Sequence, residues 1–566
     1  MRSAIAETLL LQPQSFCGCL GASFTGGVGL LGTCWFAILY LSLGPESLEN
    51  QMFTEEQAMV LVEKAVMTAF KVFSEKRYPE AEILLNQVLK VNPDNVQTLQ
   101  LLGLIRHNTG KYEEGIDFFT KALEYAPENA ENHNNISLCY SNLGKYDLAL
   151  PHMLEAVALA PHCHYMQANL GLLYRNMRDI NKAIEHFKKA ITIKESDLNW
   201  TMLGGCYGEL RMMKEAEECF QKAIAINPEF AAAHVDLASV YHLQKDNRAW
   251  GEYEWRFEHF DQTKFWLKLY DIEKRWYGEK LEGKKIIIHS EQGLGDCIQF
   301  ARYIPLVREK GAYVIVHCQP SLASLLKPLC DEVYTTDPGA IPLHEFRQPD
   351  FPIPEYDYFA SVVSLPYLLE LPPIPKPPYL FTDHWCNLGA SYSYDDTIGR
   401  SFKIGVVWAG NPQHPNDRYR SCKLAQFKPI HDLPGVKLFS LQTDTRLRQY
   451  RFEEKPIDLT EGSDGMKLVD MSKCMDSFED TASIMKELDL VISADTATLH
   501  LAGAFDIPTW ALIPANNDWR WGLEGEKTEW YPSVRLFRQP VLGDWDTPFQ
   551  QMKEILNGRL SERKRR

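Results

Sequence analysis

The chain has little that would mark a metal-bound or disulfide-stapled protein. Its 13 cysteines form no Cys-x-x-Cys pair, and the only close pair is Cys17-Gly-Cys19. That spacing excludes a recognisable zinc site. An odd number of scattered thiols points instead to a reducing compartment and to cysteines used as small apolar residues. Positive charge is also short: Lys+Arg number 59 against Asp+Glu 75, a net charge of −16. Such a chain lacks the electrostatic pull of a nonspecific nucleic-acid binder, although a local basic groove for a phosphate stays open. Between Thr8 and Pro45 charge is missing altogether. Within that stretch residues 24–43 are about long enough to cross a bilayer, but their glycines weaken a helix. Residues 1–51 therefore read in three ways: a single membrane anchor, an extension before a second start at Met52, or a buried segment. The rest of the composition, 45% hydrophobic and 24% charged, excludes a disordered, collagen-like or polytopic membrane protein. The length of 566 residues allows about three to five domains.

What fills residues 52–260 is a repeat. Pro93, Pro127, Pro161 and Pro228 close equivalent segments, the first three at intervals of 34 residues. Leu102-Gly103, Leu170-Gly171 and Leu203-Gly204 mark a first helix, where glycine permits close helix approach. Ala81, Ala149, Ala183 and Ala216, then Phe119, Phe187 and Phe220, mark a second. Turns fall at Gly110-Lys111-Tyr112 and Gly144-Lys145-Tyr146. These positions resemble the tetratricopeptide repeat. About five units, with a degenerate sixth, predict an α-solenoid whose concave face takes a protein or peptide partner. The sixth breaks pattern at Trp250-Gly251-Glu252-Tyr253-Glu254-Trp255-Arg256-Phe257. That segment reads as a cap packed on the following domain.

The second half predicts two α/β domains, 281–385 and 400–558. Ile286-Ile287-Ile288-His289-Ser290 is a short β-branched strand. It runs into Gln292-Gly293-Leu294-Gly295-Asp296 and then a helical pattern. With no third glycine and no acidic residue at the next strand end, a dinucleotide site is rejected. Residues 338–378 carry eleven prolines. They read as a surface crossing with one embedded segment, Tyr358 to Leu369, rather than as helix or sheet. The second domain opens at Lys403–Trp408 with a glycine turn, Ala409-Gly410-Asn411. Further strands are 438–441, 490–493 and 509–513.

Three features resemble family 9 glycosyltransferases, the heptosyltransferase-like group with the two-domain B-type fold. One is Gly293-Leu294-Gly295-Asp296. Another is Ser493-Ala494-Asp495-Thr496 with His500 and Ala502-Gly503-Ala504. The third is the order of the halves. The plan is also similar to that of protein O-GlcNAc transferases, though not in active-site motifs. The resemblance implies transfer of a sugar from a nucleotide-diphosphate donor, a substrate rather than a cofactor, to a glycan or protein acceptor. No Asp-x-Asp element closes a strand, which argues against a metal-dependent A-type enzyme and implies a metal-independent, inverting one. By motif Asp296 is the base, or else a helix N-cap. Asp495, Thr496 and His500 form the donor site, assisted by Gly293, Gly295, Gly410 and Asn411. Arg418, Arg420, Lys423 and Arg520 could neutralise the leaving diphosphate. Trp519 and Trp521 could stack on a base or sugar, or pack internally. Ala497 stands where the family has glycine, which also keeps open a noncatalytic scaffold with a degenerate transferase domain. A cytoplasmic location is expected, with membrane association only through the N-terminal apolar segment.

Overall fold

The computed structural model describes residues 55–565 except 261–266, 268, 337–352, 385–400, 413, 415, 443–465 and 467. All three readings of residues 1–51 fall outside this set. Among the described residues no helix is long and apolar enough to cross a membrane. The chain divides into two compact units, one ending at Ala233 and one running from His234 to Arg566.

The first unit is a series of helix pairs. They are α1 Glu55–Ser74 with α2 Tyr78–Val91, α3 Val96–Asn108 with α4 Tyr112–Tyr125, and α5 Ala130–Asn142 with α6 Tyr146–Leu159. Then come α7 His164–Asn176 with α8 Ile180–Ile193, and α9 Asp197–Glu209 with α10 Met213–Ile226. Three of the pairs are locked by the small and large residues read from the sequence. A Cβ placed on Gly103, Gly171 or Gly204 would lie 2.6, 3.1 or 2.7 Å from the ring of Phe119, Phe187 or Phe220 respectively. The phenylalanine thus fills the space the glycine leaves, and all three rings are buried. In the pair α5/α6 the same positions hold Ser137 and Met153, both buried.

The turn inside each pair needs one residue in the left-handed region. Gly110 and Gly144 supply it at φ +76° and +71°, but Lys76, Arg178 and Arg211 adopt φ 60°, 72° and 61° at the equivalent positions. Lys245, at φ 59°, continues the series. Sequence reasoning found only the two glycine turns, because the others carry residues that rarely take this conformation.

The second unit opens with the remainder of α11 (Ala231–Leu243), then α12 (Arg248–Tyr253) and α13 (Arg256–His259). Trp250 and Tyr253 belong to the same buried cluster as the α/β strands, so this segment packs on the α/β part as the sequence suggested. Two parallel sheets follow. The first has the order β3-β2-β1-β4, with β1 Lys285–His289, β2 Tyr313–Cys318, β3 Glu332–Thr335 and β4 Tyr358–Ser361. The second has the order β10-β9-β8-β5-β6-β7, with β5 Phe402–Val407, β6 Val436–Ser440, β7 Leu468–Asp470, β8 Leu490–Ala494, β9 Thr509–Ile513 and β10 Val534–Arg538. In chain order both are doubly wound. The direction of winding reverses between β1 and β4 in the first sheet and between β5 and β8 in the second. Crevices at such reversals, beyond the strand ends, are where α/β sheets hold ligands.

The proline-rich stretch requires a correction. Tyr358–Ser361 is a sheet strand, paired in parallel with β1 from Ile286↔Tyr358 to His289↔Ser361, and Leu365–Leu368 is a short helix. The prolines flank the strand and leave its N–H groups free to pair. Composition over forty residues concealed a proline-free run around the strand.

Candidate functional site

Two helices that start at strand ends define the site. Helix α14, Leu294–Phe300, follows β1, the short helix Leu365–Leu368 is α15, and helix α16, Ala497–Ala504, follows β8. They pack directly on one another. A Cβ on Gly295 would lie 2.8 Å from His500 Cδ2 and 3.4 Å from the Ala497 Cα. Gly295 therefore serves the crossing of these helices, and the Ala497 backbone sits against it.

Asp296 uses both carboxylate oxygens. Oδ2 accepts the Gly293 N–H at 2.9 Å, closing the first turn of α14. Oδ1 accepts from Arg520 Nη2 in a short, charge-assisted bond. Residues 224 positions apart are thereby joined. Arg520 also donates to Asp518 at 2.9 Å and to Gln299 Oε1 at 2.6 Å. Burial opposes the Arg520 charge, but Asp518 and Asp296 more than offset it, and the guanidinium stays protonated. Burial pushes the Asp296 carboxyl above its ordinary range, with Arg520 pulling against it.

At the reversal of the second sheet, Asp495 and Thr496 follow β8, and Thr496 is the N-cap residue of α16. Burial, then the charge of Asp518, pushes Asp495 up to about 6. His500 is buried, with Nδ1 2.9 Å from the Tyr531 hydroxyl. Burial, followed by the charges of Arg520, Arg302 and Arg420, holds its pKa well below the usual histidine range. Gly410 lies beyond the end of β5, and its missing side chain makes room for Arg420: a Cβ there would stand 2.6 Å from Nη2. Gly410 N–H donates to Ser421 Oγ at 3.1 Å. Asn411 and Lys423 are exposed, and the Arg418 side chain lies outside the described residues. The structure thus gathers Gly293, Gly295, Asp296, Asp495, Thr496, His500 and Arg520, with Arg420 over Gly410 close enough to act on Asp495 and His500.

Trp521 packs internally, whereas Trp519 is half-buried and lines a cleft. Trp519 stacks on His242 with ring centroids 4.0 Å apart, and the Arg520 guanidinium lies 4.6 Å from its ring. Trp521 is buried against His500, at 5.5 Å. A cleft of about 570 Å³ opens beside Arg520, lined among others by His242, Trp250, Trp519 and Trp530.

Sequence reasoning missed three participants. Arg256 is fully buried and donates to Glu291 through Nε and Nη2 at 2.8 and 2.9 Å, and to Ser364 Oγ at 2.7 Å. Ser361 adds a short bond to the same carboxylate. This guanidinium occupies the reversal of the first sheet, between the ends of β1 and β4. Arg302 and Tyr531 are the others, both fully buried. An arginine inside an aromatic-charged run was the signal available for Arg256. Arg302 and Tyr531 carried none, since their partners are main-chain carbonyls and distant side chains.

Models of the tetratricopeptide repeat match residues 96–129, 118–150, 165–197 and 199–230. The first unit carries tetratricopeptide repeats. Protein FlbA of Caulobacter vibrioides is 26% identical over 333 residues, a match covering 56% of this chain and 53% of FlbA. The chain thus spans about half the length of that relative. Residues 1–260 are less than half of the chain, so the match reaches past the repeats. Among solved structures, a thermophilic tetratricopeptide protein of Thermus thermophilus is 19% identical, with 32% of this chain and 98% of that one covered and a TM-score of 0.29. YrrB, described as a tetratricopeptide protein with an unusual peptide-binding site, is 21% identical, with 30% and 88% covered and a TM-score of 0.26.

Proposed function

We propose that the second unit transfers a sugar from a nucleotide-diphosphate donor to an acceptor hydroxyl, and that the repeats recruit the acceptor or a partner protein. The observation that carries this reading is the convergence of two strand-end helices at a sheet reversal, with Asp296 and Arg520 paired across it. In this reading Asp296 takes the proton of the acceptor hydroxyl as the new C–O bond forms and the C–O bond to the diphosphate breaks. The leaving charge is met by Arg420, Arg520 and the free N–H groups at the start of α16. Asp495, protonated below pH about 6, can donate to the donor rather than repel it. The expected result is loss of turnover in Asp296→Ala and in Asp495→Ala with the fold retained. Full activity in both variants would remove the site assignment.

A second reading, a noncatalytic scaffold, is favoured by one specific feature. Both Asp296 oxygens are engaged, one by the Gly293 N–H and one by Arg520, which leaves neither oxygen free for an acceptor. Interaction through the repeats alone would then be the function.

A further inference from the structure

The cleft beside Arg520, about 570 Å³, lies wholly within the second unit. Small-ligand sites span roughly 300–1,000 Å³. Three segments wall it: the turn from α11 to α12, residues 371–374, and residues 519–530 ahead of β10. One side is aromatic. The Trp519 ring meets Trp250 and Trp530 nearly edge-on, each with centroids 5.9 Å away. Trp250 and Trp530 are buried, whereas Trp519 is half-buried and leaves apolar surface in the cleft.

Against this apolar wall stands a polar atom with nothing to bond. His242 lines the cleft and is only 8% exposed. Its ring is fixed by the stack on Trp519 at 4.0 Å and by the edge of Trp250 at 4.6 Å. Its Nε2 is buried and has no hydrogen-bond partner among the described residues. Buried polar atoms are almost always partnered, so an orphan in a cavity wall marks the place of a ligand atom. Burial, with the Arg520 charge second, pulls His242 down to about 3, so the ring is neutral. A neutral imidazole nitrogen carries either a proton or a lone pair. A hydroxyl satisfies both cases. A carboxylate or a peptide carbonyl satisfies only the first, and an ammonium only the second.

The charges around the cleft select in the same direction. Lys245, Arg520 and Lys527 are balanced by Asp246, Glu524 and Glu529. The Arg520 charge is already answered by Asp296 and Asp518. Nothing in this lining favours a ligand of either sign. A ligand that is uncharged, apolar on its ring faces and hydroxylated at its edges fits all three observations. We infer that the cleft binds an uncharged saccharide, with Trp519 against its C–H surface and His242 Nε2 bonded to one of its hydroxyls. Arg520 touches both this cleft and Asp296, so the saccharide lies one side chain away from that carboxylate. In the transfer reading above it is the acceptor, which makes the acceptor a glycan rather than a bare polypeptide. That last assignment rests on the transfer reading; saccharide binding does not.

The test is isothermal titration of the full chain with maltotriose, cellotriose, mannotriose and chitotriose, and with a decaproline peptide as the aromatic-cleft ligand that offers only carbonyls. At least one trisaccharide should bind, and decaproline should not. His242→Phe keeps the stacked ring and removes Nε2, and should weaken that trisaccharide by about tenfold, one hydrogen bond's worth. Trp519→Ala should weaken it by at least as much. Either variant decides alone if the other fails to fold. Binding by none of the four trisaccharides, binding of decaproline in their place, or full affinity in His242→Phe or Trp519→Ala would overturn the inference. If a trisaccharide binds and no nucleotide sugar does, the cleft stands and the transfer reading falls. If a nucleotide sugar binds and no trisaccharide does, the transfer reading stands and the cleft assignment falls.

Discussion

Replacing Arg520 by alanine deletes the guanidinium that holds Asp296 and Gln299 of α14. The side chain is only 8% exposed, and its partner Asp296 is 19% exposed. Removing one member of a buried pair strands the other, at a cost of about 3–5 kcal/mol. The bond to Asp518 adds little, because that carboxylate is 39% exposed and screened by water. Arg520→Ala is therefore expected to lose about 3–5 kcal/mol in denaturant unfolding at neutral pH. Tryptophan fluorescence follows this well, since all but two of the 13 tryptophans lie in the second unit. The pH dependence has a definite sign. Asp296 is already raised by burial, and loss of Arg520 raises it further. A carboxyl with a raised folded pKa favours the native state when protonated, so the deficit of Arg520→Ala shrinks on acidification toward pH ~5. In a double-mutant cycle with Asp296→Asn the coupling should reach about 1–3 kcal/mol. A loss under about 1 kcal/mol, or a deficit that grows on acidification, would refute the reasoning.

Gly295→Ala should destabilise the second unit by about 1–3 kcal/mol, measured in the same unfolding experiment, because its Cβ meets His500 Cδ2 at 2.8 Å and the Ala497 backbone behind it. Lys76→Gly should leave the first unit as stable or up to about 1 kcal/mol more stable by circular dichroism, since relief of the left-handed strain exceeds the added unfolded-state entropy. Asp495, raised to about 6 from its ordinary 3.8, contributes stability that is present below the lower value and lost as pH rises through the upper one. Asp495→Asn should flatten that part of the stability–pH profile. Arg256→Ala should cost about 3–5 kcal/mol by leaving the buried Glu291 carboxylate without its guanidinium, read as a lowered denaturant midpoint.

The repeat was legible because packing repeats in sequence: a glycine faces a phenylalanine at fixed spacing, and both are printed in every unit that has them. The left-handed turns at Lys76, Arg178 and Arg211 were not, since tertiary packing there overrides a residue's own preference. In the second unit the short β-branched strands and the glycine turns after them were readable, and so was each of Asp296, His500 and Arg520 taken singly. Their pairing was not, because Asp296 and Arg520 meet only once the two sheets are in place. Arg302 was invisible for a related reason: its partners are carbonyls, which every residue has. The strand 358–361 was hidden by the prolines on either side of it.

The proposed transfer reaction requires the second unit to hold a nucleotide sugar. The most direct test is thermal denaturation of the full chain, followed by tryptophan fluorescence, with UDP-, GDP- and ADP-sugars in turn. One of them should raise the midpoint of the second unit, and that rise should disappear in Arg520→Ala. No shift with any donor would contradict the proposed reaction and leave the tetratricopeptide repeats as the working part of the chain.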